Sequence, residues 1–248
     1  MKMSHEIIQI IENRLQEYEK EYGICVLLWS FRGSIDIGIY RKNSDLDIIF
    51  IYQSNNKKLR AMHDIVGHGF DYWGWILEDV LLTIDGANKC CIAGKQYVLS
   101  KEHIRGSLTY YFGVYCMFGN KFSYDNHEIS KQCRSLFADI YLPQANMIEF
   151  QDRLLPSYKK INAGMSLFGN ELLYAVWYSY MCKHIISGGL PGDNKLKLLL
   201  SKYADYEQRE NILMIHEQYT ASEGKRTQQF NNLIINNLIR DQFEENKN

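Results

Sequence analysis

The stretch Phe31-Arg32-Gly33-Ser34-Ile35-Asp36-Ile37-Gly38-Ile39-Tyr40-Arg41-Lys42-Asn43-Ser44-Asp45-Leu46-Asp47-Ile48 decides how the first part of the chain is read. It joins two short, continuous apolar runs, Ile24–Trp29 and Ile48–Tyr52, each of which suits a buried strand. Alternation along the second strand puts Asp45 and Asp47 on one face, with Leu46 and Ile48 pointing into the core. Neighbouring carboxylates on one face repel, and a hard cation between them relieves that cost. Mg²⁺ takes oxygen ligands, typically one or two carboxylates plus substrate phosphates. A two-ion site needs a third carboxylate, and Asp71, at the start of the next predicted strand, is the candidate. At the other end of the unit, Gly33-Ser34 lets backbone N–H groups come close to a triphosphate, and the serine hydroxyl adds a hydrogen bond. Ser34 has the further option of capping the following helix. Arg32 and Lys42 flank the turn and are candidates to neutralise phosphate charge.

Working outward, residues 4–22 read as an amphipathic helix. Ile7, Ile8, Ile11, Leu15 and Tyr18 recur at three- and four-residue spacing, with Ser4 as N-cap and Gly23 as stop. After Tyr52 a polar loop, Gln53–Lys58, leads to the glycine-punctuated Gly67–Trp75, whose middle reads as a third strand running into a helix over Trp75–Ile84. Beyond residue 101 the periodicity turns helical, over His103–Phe118, Asn126–Phe137, Leu142–Arg153, Gly169–Ile186 and Asp205–His216. Pro143, Pro156 and Pro191 fall between or at the start of these helices, where proline is tolerated. The Asn-rich tail from Asn231 reads as fraying at its end. The expected division is a mixed α/β part, residues 1–100, and a helical part, residues 101–248.

Composition narrows the classes. The chain has 248 residues, 46% hydrophobic and 23% charged, with a formal net charge of −1, enough for a sizeable core and unlike a disordered chain. No apolar run approaches the roughly 20 residues of a membrane span. The N-terminus has no continuous apolar segment of a secretory signal. Six cysteines with no C-x-x-C pair read as reduced thiols, so the expected compartment is cytoplasmic. Near-neutral charge argues against an extended grip on duplex DNA.

Gly-Ser, a gap of ten residues, then Asp-hydrophobic-Asp-hydrophobic resembles the signature of the DNA polymerase β-like nucleotidyltransferase superfamily. The finer spacing of GSIDIGIYRKNSDLD is similar to the bacterial and phage nucleotidyltransferases of the RNA-repair-associated (RlaP-like) family, as is the later FDYWGWILEDVLLTI. The resemblance covers Val26–Ile84. It departs at Ile35, where the family often has Arg, and at Asp85-Gly86-Ala87-Asn88, where the family has an Asn-Pro-rich segment.

The resemblance implies an α+β fold, in which a nucleotidyltransferase domain with a short mixed sheet is followed by a mostly helical C-terminal region walling the cleft. It implies transfer of NMP from an NTP, ATP by default, to an acceptor hydroxyl or phosphate with release of pyrophosphate, using Mg²⁺ (two ions, with Mn²⁺ as substitute). Asp45, Asp47 and Asp71 become the metal ligands and catalytic carboxylates, with Asp71 taking the acceptor's proton. Gly33, Ser34, Arg32 and Lys42 become the nucleotide-binding set. The acceptor is a small molecule, such as an aminoglycoside-like antibiotic, or an RNA end. The alternative is a catalytically silent nucleotide-binding or antitoxin-like interaction protein.

Other signals are weaker. His63-Asp64 with His68 lacks the distant ligands of a metal phosphohydrolase. Gly188–Lys195 lacks P-loop spacing and reads as an interhelical loop. Cys90-Cys91 has no histidine at zinc-ligand spacing. The aromatics of Tyr110–Phe118 and Tyr174–Tyr180 read mainly as core, with Tyr178, Tyr180, Glu149 and Glu171 as candidates for an acceptor pocket.

Overall fold

The computed structural model describes residues 5–41, 44–56, 61–66, 69–76, 90–92, 95–97, 124–125, 143–189, 195–221 and 229–245. Lys42, Ser4, His68, Pro191 and the helices expected at 103–118 and 126–137 lie outside these residues.

The opening helix forms as its periodicity predicts. Helix α1 (His5–Tyr22) buries Ile11, Leu15 and Tyr18, one stripe of an otherwise polar surface. Gly23, at φ +62°, turns the chain out of it in the left-handed conformation that glycine adopts without a steric cost. Strand β1 (Ile24–Arg32) follows, then a single helical turn α2 (Ser34–Ile37), then β2 (Leu46–Ser54). Two hairpin strands come next, β3 (Ala61–Val66) and β4 (Phe70–Ile76). Strand β3 lies between the expected polar loop, Gln53–Lys58, and Gly67, in a stretch to which the sequence pattern assigns no element. Trp75 and Ile76, expected to begin a helix, instead complete β4, because they pair with Ile51 and Tyr52 of β2. Short strands β5 (Cys90–Ile92) and β6 (Lys95–Tyr97) pair with each other, and β7 (Tyr124–Asp125) joins the main sheet.

The main sheet has the order β3-β4-β2-β1-β7. Strands β2 and β4 run parallel, and the other neighbours are antiparallel. The sheet is therefore mixed, as expected. What differs is how it is covered. Ile48, Phe50, Tyr52 and Tyr72 pack with Ile11, Leu15 and Tyr18 under α1. Leu28, Ile49, Ile51 and Trp75 pack on the opposite side, in one core with the C-terminal helices. Burial on both faces explains why Ile48–Tyr52 is apolar without alternation. It also means that the face carrying Asp47, two residues before Ile49, looks into the helical region and not into open solvent.

That region consists of α3 (Pro143–Asn162), α4 (Gly169–Ile186), α5 (Leu196–Tyr203), α6 (Tyr206–Ala221) and α7 (Leu233–Glu245), with a small ladder of β8 (Leu167–Phe168) on β9 (Gln229–Phe230). One expectation is corrected here. Pro156 lies inside α3, which continues to Asn162 instead of ending near Arg153. An interior proline costs about 3 kcal/mol, and burial of Phe150, Leu154 and Ile161 along the same helix offsets it. Most of the Asn-rich tail forms α7, whose Ile235, Leu238, Ile239 and Phe243 are buried; the end expected to fray, residues 246–248, lies outside the described residues. The apolar residues of α7 keep helical spacing between the asparagines. Among the described residues no helix is long and apolar enough to cross a membrane.

Candidate functional site

The sheet register builds the site. Arg32 of β1 is the partner of Asp47 on β2, and Asp47 is the partner of Asp71 on β4. The three residues form one row across three strands, on the face turned toward the C-terminal helices. The Leu46 N–H donates to the Gly69 carbonyl at 2.6 Å, locking the start of β2 to the start of β4 and so setting the two carboxylates side by side. Like charges directly opposite each other on a sheet are destabilising. The fold accepts that cost here.

Gly33 follows Arg32 directly. Its φ of +67° with ψ of −138° belongs to a region that is essentially glycine's alone. A methyl group at this position would run into Oδ2 of Asp47. The glycine turn and the carboxylate thus occupy touching positions, and no other residue fits between them. The Ile37 N–H donates to the Gly33 carbonyl at 3.2 Å, and the Ile39 N–H to the Ser34 carbonyl at 2.8 Å, closing the turn of α2. Ser34 is the first residue of that turn and not its cap. The cap position belongs to Gly33, with no side-chain hydrogen bond.

Asp71 is gripped from two sides. His63 of β3, on the same face, donates from Nε2 to Oδ1 of Asp71 at 2.9 Å. Nη2 of Arg32 lies 3.6 Å from Oδ2. Between them stands Trp73. The His63 ring stacks on it with centroids 4.0 Å apart, and the Arg32 guanidinium lies 4.5 Å from its ring centre. Asp64, next to His63 in the chain, points to the opposite face, where it meets Arg14 and Tyr18 of α1. Strand alternation therefore splits the His-Asp dipeptide between two faces of the sheet.

The sequence-predicted carboxylates are not all brought together. Asp47 and Asp71 are neighbours, whereas Asp45 is exposed and precedes β2. Among the described residues no three His, Cys, Asp or Glu side chains come close enough to cage a metal ion. The donor set is nevertheless of the right kind for a divalent cation. Two hard carboxylates in register, with the glycine turn against one of them, suit an ion that arrives with phosphate oxygens completing its shell. They do not suit one held by protein ligands alone.

The helical wall contributes residues that the sequence reading did not single out. The half-buried Tyr174 of α4 has its hydroxyl pKa pushed up, first by burial, with the Asp47 carboxylate adding to the rise and Arg32 opposing it. It therefore stays protonated. His216 of α6 donates from Nε2 to the Gly38 carbonyl at 2.8 Å, and Tyr219 of the same helix packs against the Arg41 guanidinium at 5.0 Å. These contacts pin the loop after the glycine turn. Tyr180 is not an acceptor-pocket residue: it is fully buried and donates to Gln208 at 2.9 Å. Tyr178 packs on Phe150 and Trp177. Glu171 is engaged by Lys160 at 2.6 Å, and the Glu149 side chain lies outside the described residues.

Helix α4 is apolar all round, so its periodicity does not reveal which side meets the sheet. That is why Tyr174 was missed. The sequence pattern offers His63 only within a His-Asp dipeptide and not as a partner of Asp71, because its strand carries no assignment there, although Ile65-Val66 before Gly67-His68-Gly69 and an aromatic run is a hairpin signal.

No family model matches the chain, and no curated protein is similar to it. Among solved structures, a nucleotidyltransferase-like protein from Exiguobacterium sibiricum 255-15 aligns over 97% of this chain and 74% of its own, at 11% identity and a TM-score of 0.31.

Proposed function

We propose that the protein is a metal-dependent nucleotidyltransferase, moving NMP from an NTP to an acceptor hydroxyl or phosphate and releasing pyrophosphate. The observation that carries this reading is the registered pair Asp47–Asp71 on adjacent parallel strands, with the Gly33 turn packed against the Asp47 carboxylate. The expected nucleotide is ATP, seated with its phosphates at Gly33-Ser34. Arg32, whose guanidinium lies against Trp73 and beside Asp71, and Lys42 are the candidate cations for those phosphates. Asp47 and Asp71 would hold Mg²⁺ or Mn²⁺, with Asp45 joining from the loop before β2. The metal supplies charge neutralisation at the phosphates and a lower pKa for the attacking group.

In the transfer itself a bond forms between the acceptor oxygen and the α-phosphorus, and the bond to pyrophosphate breaks. For a hydroxyl acceptor, its proton passes to a carboxylate, with Asp71 in that role. Positioning and charge compensation account for most of such catalysis. The acceptor proposed is a small molecule or an RNA end, entering from the side of Tyr174.

The test is incubation with each α-labelled NTP and Mg²⁺ against tRNA, oligonucleotides, aminoglycosides and the protein itself. Label on one acceptor is the expected result. A second reading, a silent nucleotide-binding or antitoxin-like protein, draws support from the engagement of both Asp71 oxygens by His63 and Arg32. It predicts NTP binding with no label transferred to any acceptor.

A further inference from the structure

We propose that His63 is a positioning residue for Asp71, fixing the orientation of the carboxylate that must face Asp47 across the site. This inference rests on the nucleotidyl-transfer reading and extends it to a residue on the edge strand. Three observations converge on it. The register of β3 on β4 pairs Ile65 with Asp71 and His63 with Trp73, so His63 reaches diagonally along the shared face to the carboxylate. Its Nε2 meets Oδ1 at 2.9 Å, which leaves Oδ2 on the side of Arg32. The imidazole is itself held, stacked on Trp73 at 4.0 Å with an interplanar angle of 29°, while the guanidinium of Arg32 also lies against that indole.

A carboxylate on a short side chain rotates freely unless its oxygens are engaged. Here a hydrogen bond comes from His63 on β3 and a looser ion pair from Arg32 on β1, with the Trp73 ring against both side chains, so His63 sets the plane of Asp71 and Arg32 adds charge on its other side. A histidine bonded to a carboxylate that binds metal is the kind of outer partner whose loss typically weakens metal binding about 10- to 100-fold.

The test uses the full chain with two substitutions. His63→Phe keeps a ring on Trp73 and removes the donor, whereas His63→Gln keeps a donor. Mn²⁺ affinity is measured by calorimetry with the α,β-methylene analogue of ATP present. The crystal structure of His63→Phe is determined alongside. The expected result is Mn²⁺ binding weakened about tenfold or more in His63→Phe, substantial rescue in His63→Gln, and an Asp71 carboxylate rotated away from its wild-type plane in His63→Phe. Unchanged Mn²⁺ affinity in His63→Phe, or an unmoved Asp71, overturns the proposal. If the wild-type protein takes up no Mn²⁺ with the nucleotide while Asp71 still rotates in His63→Phe, the transfer reading fails and the positioning role stands.

Discussion

The sheet carries an arginine–aspartate–aromatic cluster on each face, and the two are built differently. Under α1, Asp64 accepts from the Tyr18 hydroxyl at 2.5 Å and from Arg14 at 2.8 Å, and Arg14 also reaches Glu17 at 2.7 Å. These groups answer one another. The bonds from Tyr18 and Arg14 hold the Asp64 carboxyl below its ordinary range, and burial with the Asp64 bond pushes the Tyr18 hydroxyl up. The cluster staples the helix to the sheet. On the other face, one arginine and one imidazole serve a row with two adjacent carboxylates, Asp47 and Asp71, beside a glycine turn. Stability alone gives no reason to place two acids in register. On the proposed reading, the difference is between a closed cluster and a row that a cation and phosphate oxygens would complete.

The sharpest way to break this comparison is Asp47→Ala. If the open face is the reactive one, transfer of label falls by about 10²- to 10³-fold or more, while urea unfolding stays close to wild type because a like-charge pair has been removed. Undiminished transfer in the purified variant would make the row structural.

Gly33→Ala comes next, since it touches both fold and site. A side chain at φ +67° that also meets Asp47 should cost about 1–3 kcal/mol in denaturant unfolding and lower transfer with it. A neutral result would mean that the turn and the carboxylate are not in contact.

On the closed face, Tyr18→Phe should cost about 1–2 kcal/mol of stability with no change in transfer. Asp64→Asn adds a pH signature. A carboxyl held below its unfolded value of 3.8 contributes stability above that pH and loses it as the pH falls through the lower folded value. The wild-type advantage over Asp64→Asn should therefore be present at pH 7 and fade below about pH 4, as read by urea midpoints across pH. An advantage that grew on acidification would reverse the assignment. The smallest effect belongs to Glu17→Ala, which removes only the exposed arm of the Arg14 network. It should cost about 0.2–0.5 kcal/mol and vanish in high salt, a difference that closely spaced thermal melts resolve.

Much of this arrangement was legible in the residues. Ile7 to Tyr18 defined α1, the apolar runs defined β1 and β2, and Gly169–Ile186 appeared as a helix with the same bounds in the structure. What escaped was set by pairing across long separations. Trp75 and Ile76 became strand because β2 lay beside them, and a local window favouring a helix has no knowledge of that neighbour. Pro156 and the asparagines of α7 were local discouragements overruled by buried apolar residues on the same helices. Asp45 and Asp47 are equivalent in a strand pattern, yet β2 begins only at Leu46, so one is exposed and the other faces the helices.

By itself the sequence determined the chemistry on offer: a glycine and a serine after an apolar strand, and aspartates spaced for one face of the next. These are properties of residue type and of a two-residue period, both local. The tertiary structure alone decided that Asp71 stands next to Asp47, and that His63 and Arg32 hold it. Parallel register between β2 and β4 and the packing of α4 on the sheet are non-local, fixed by which surfaces can be buried together, and no local pattern encodes them.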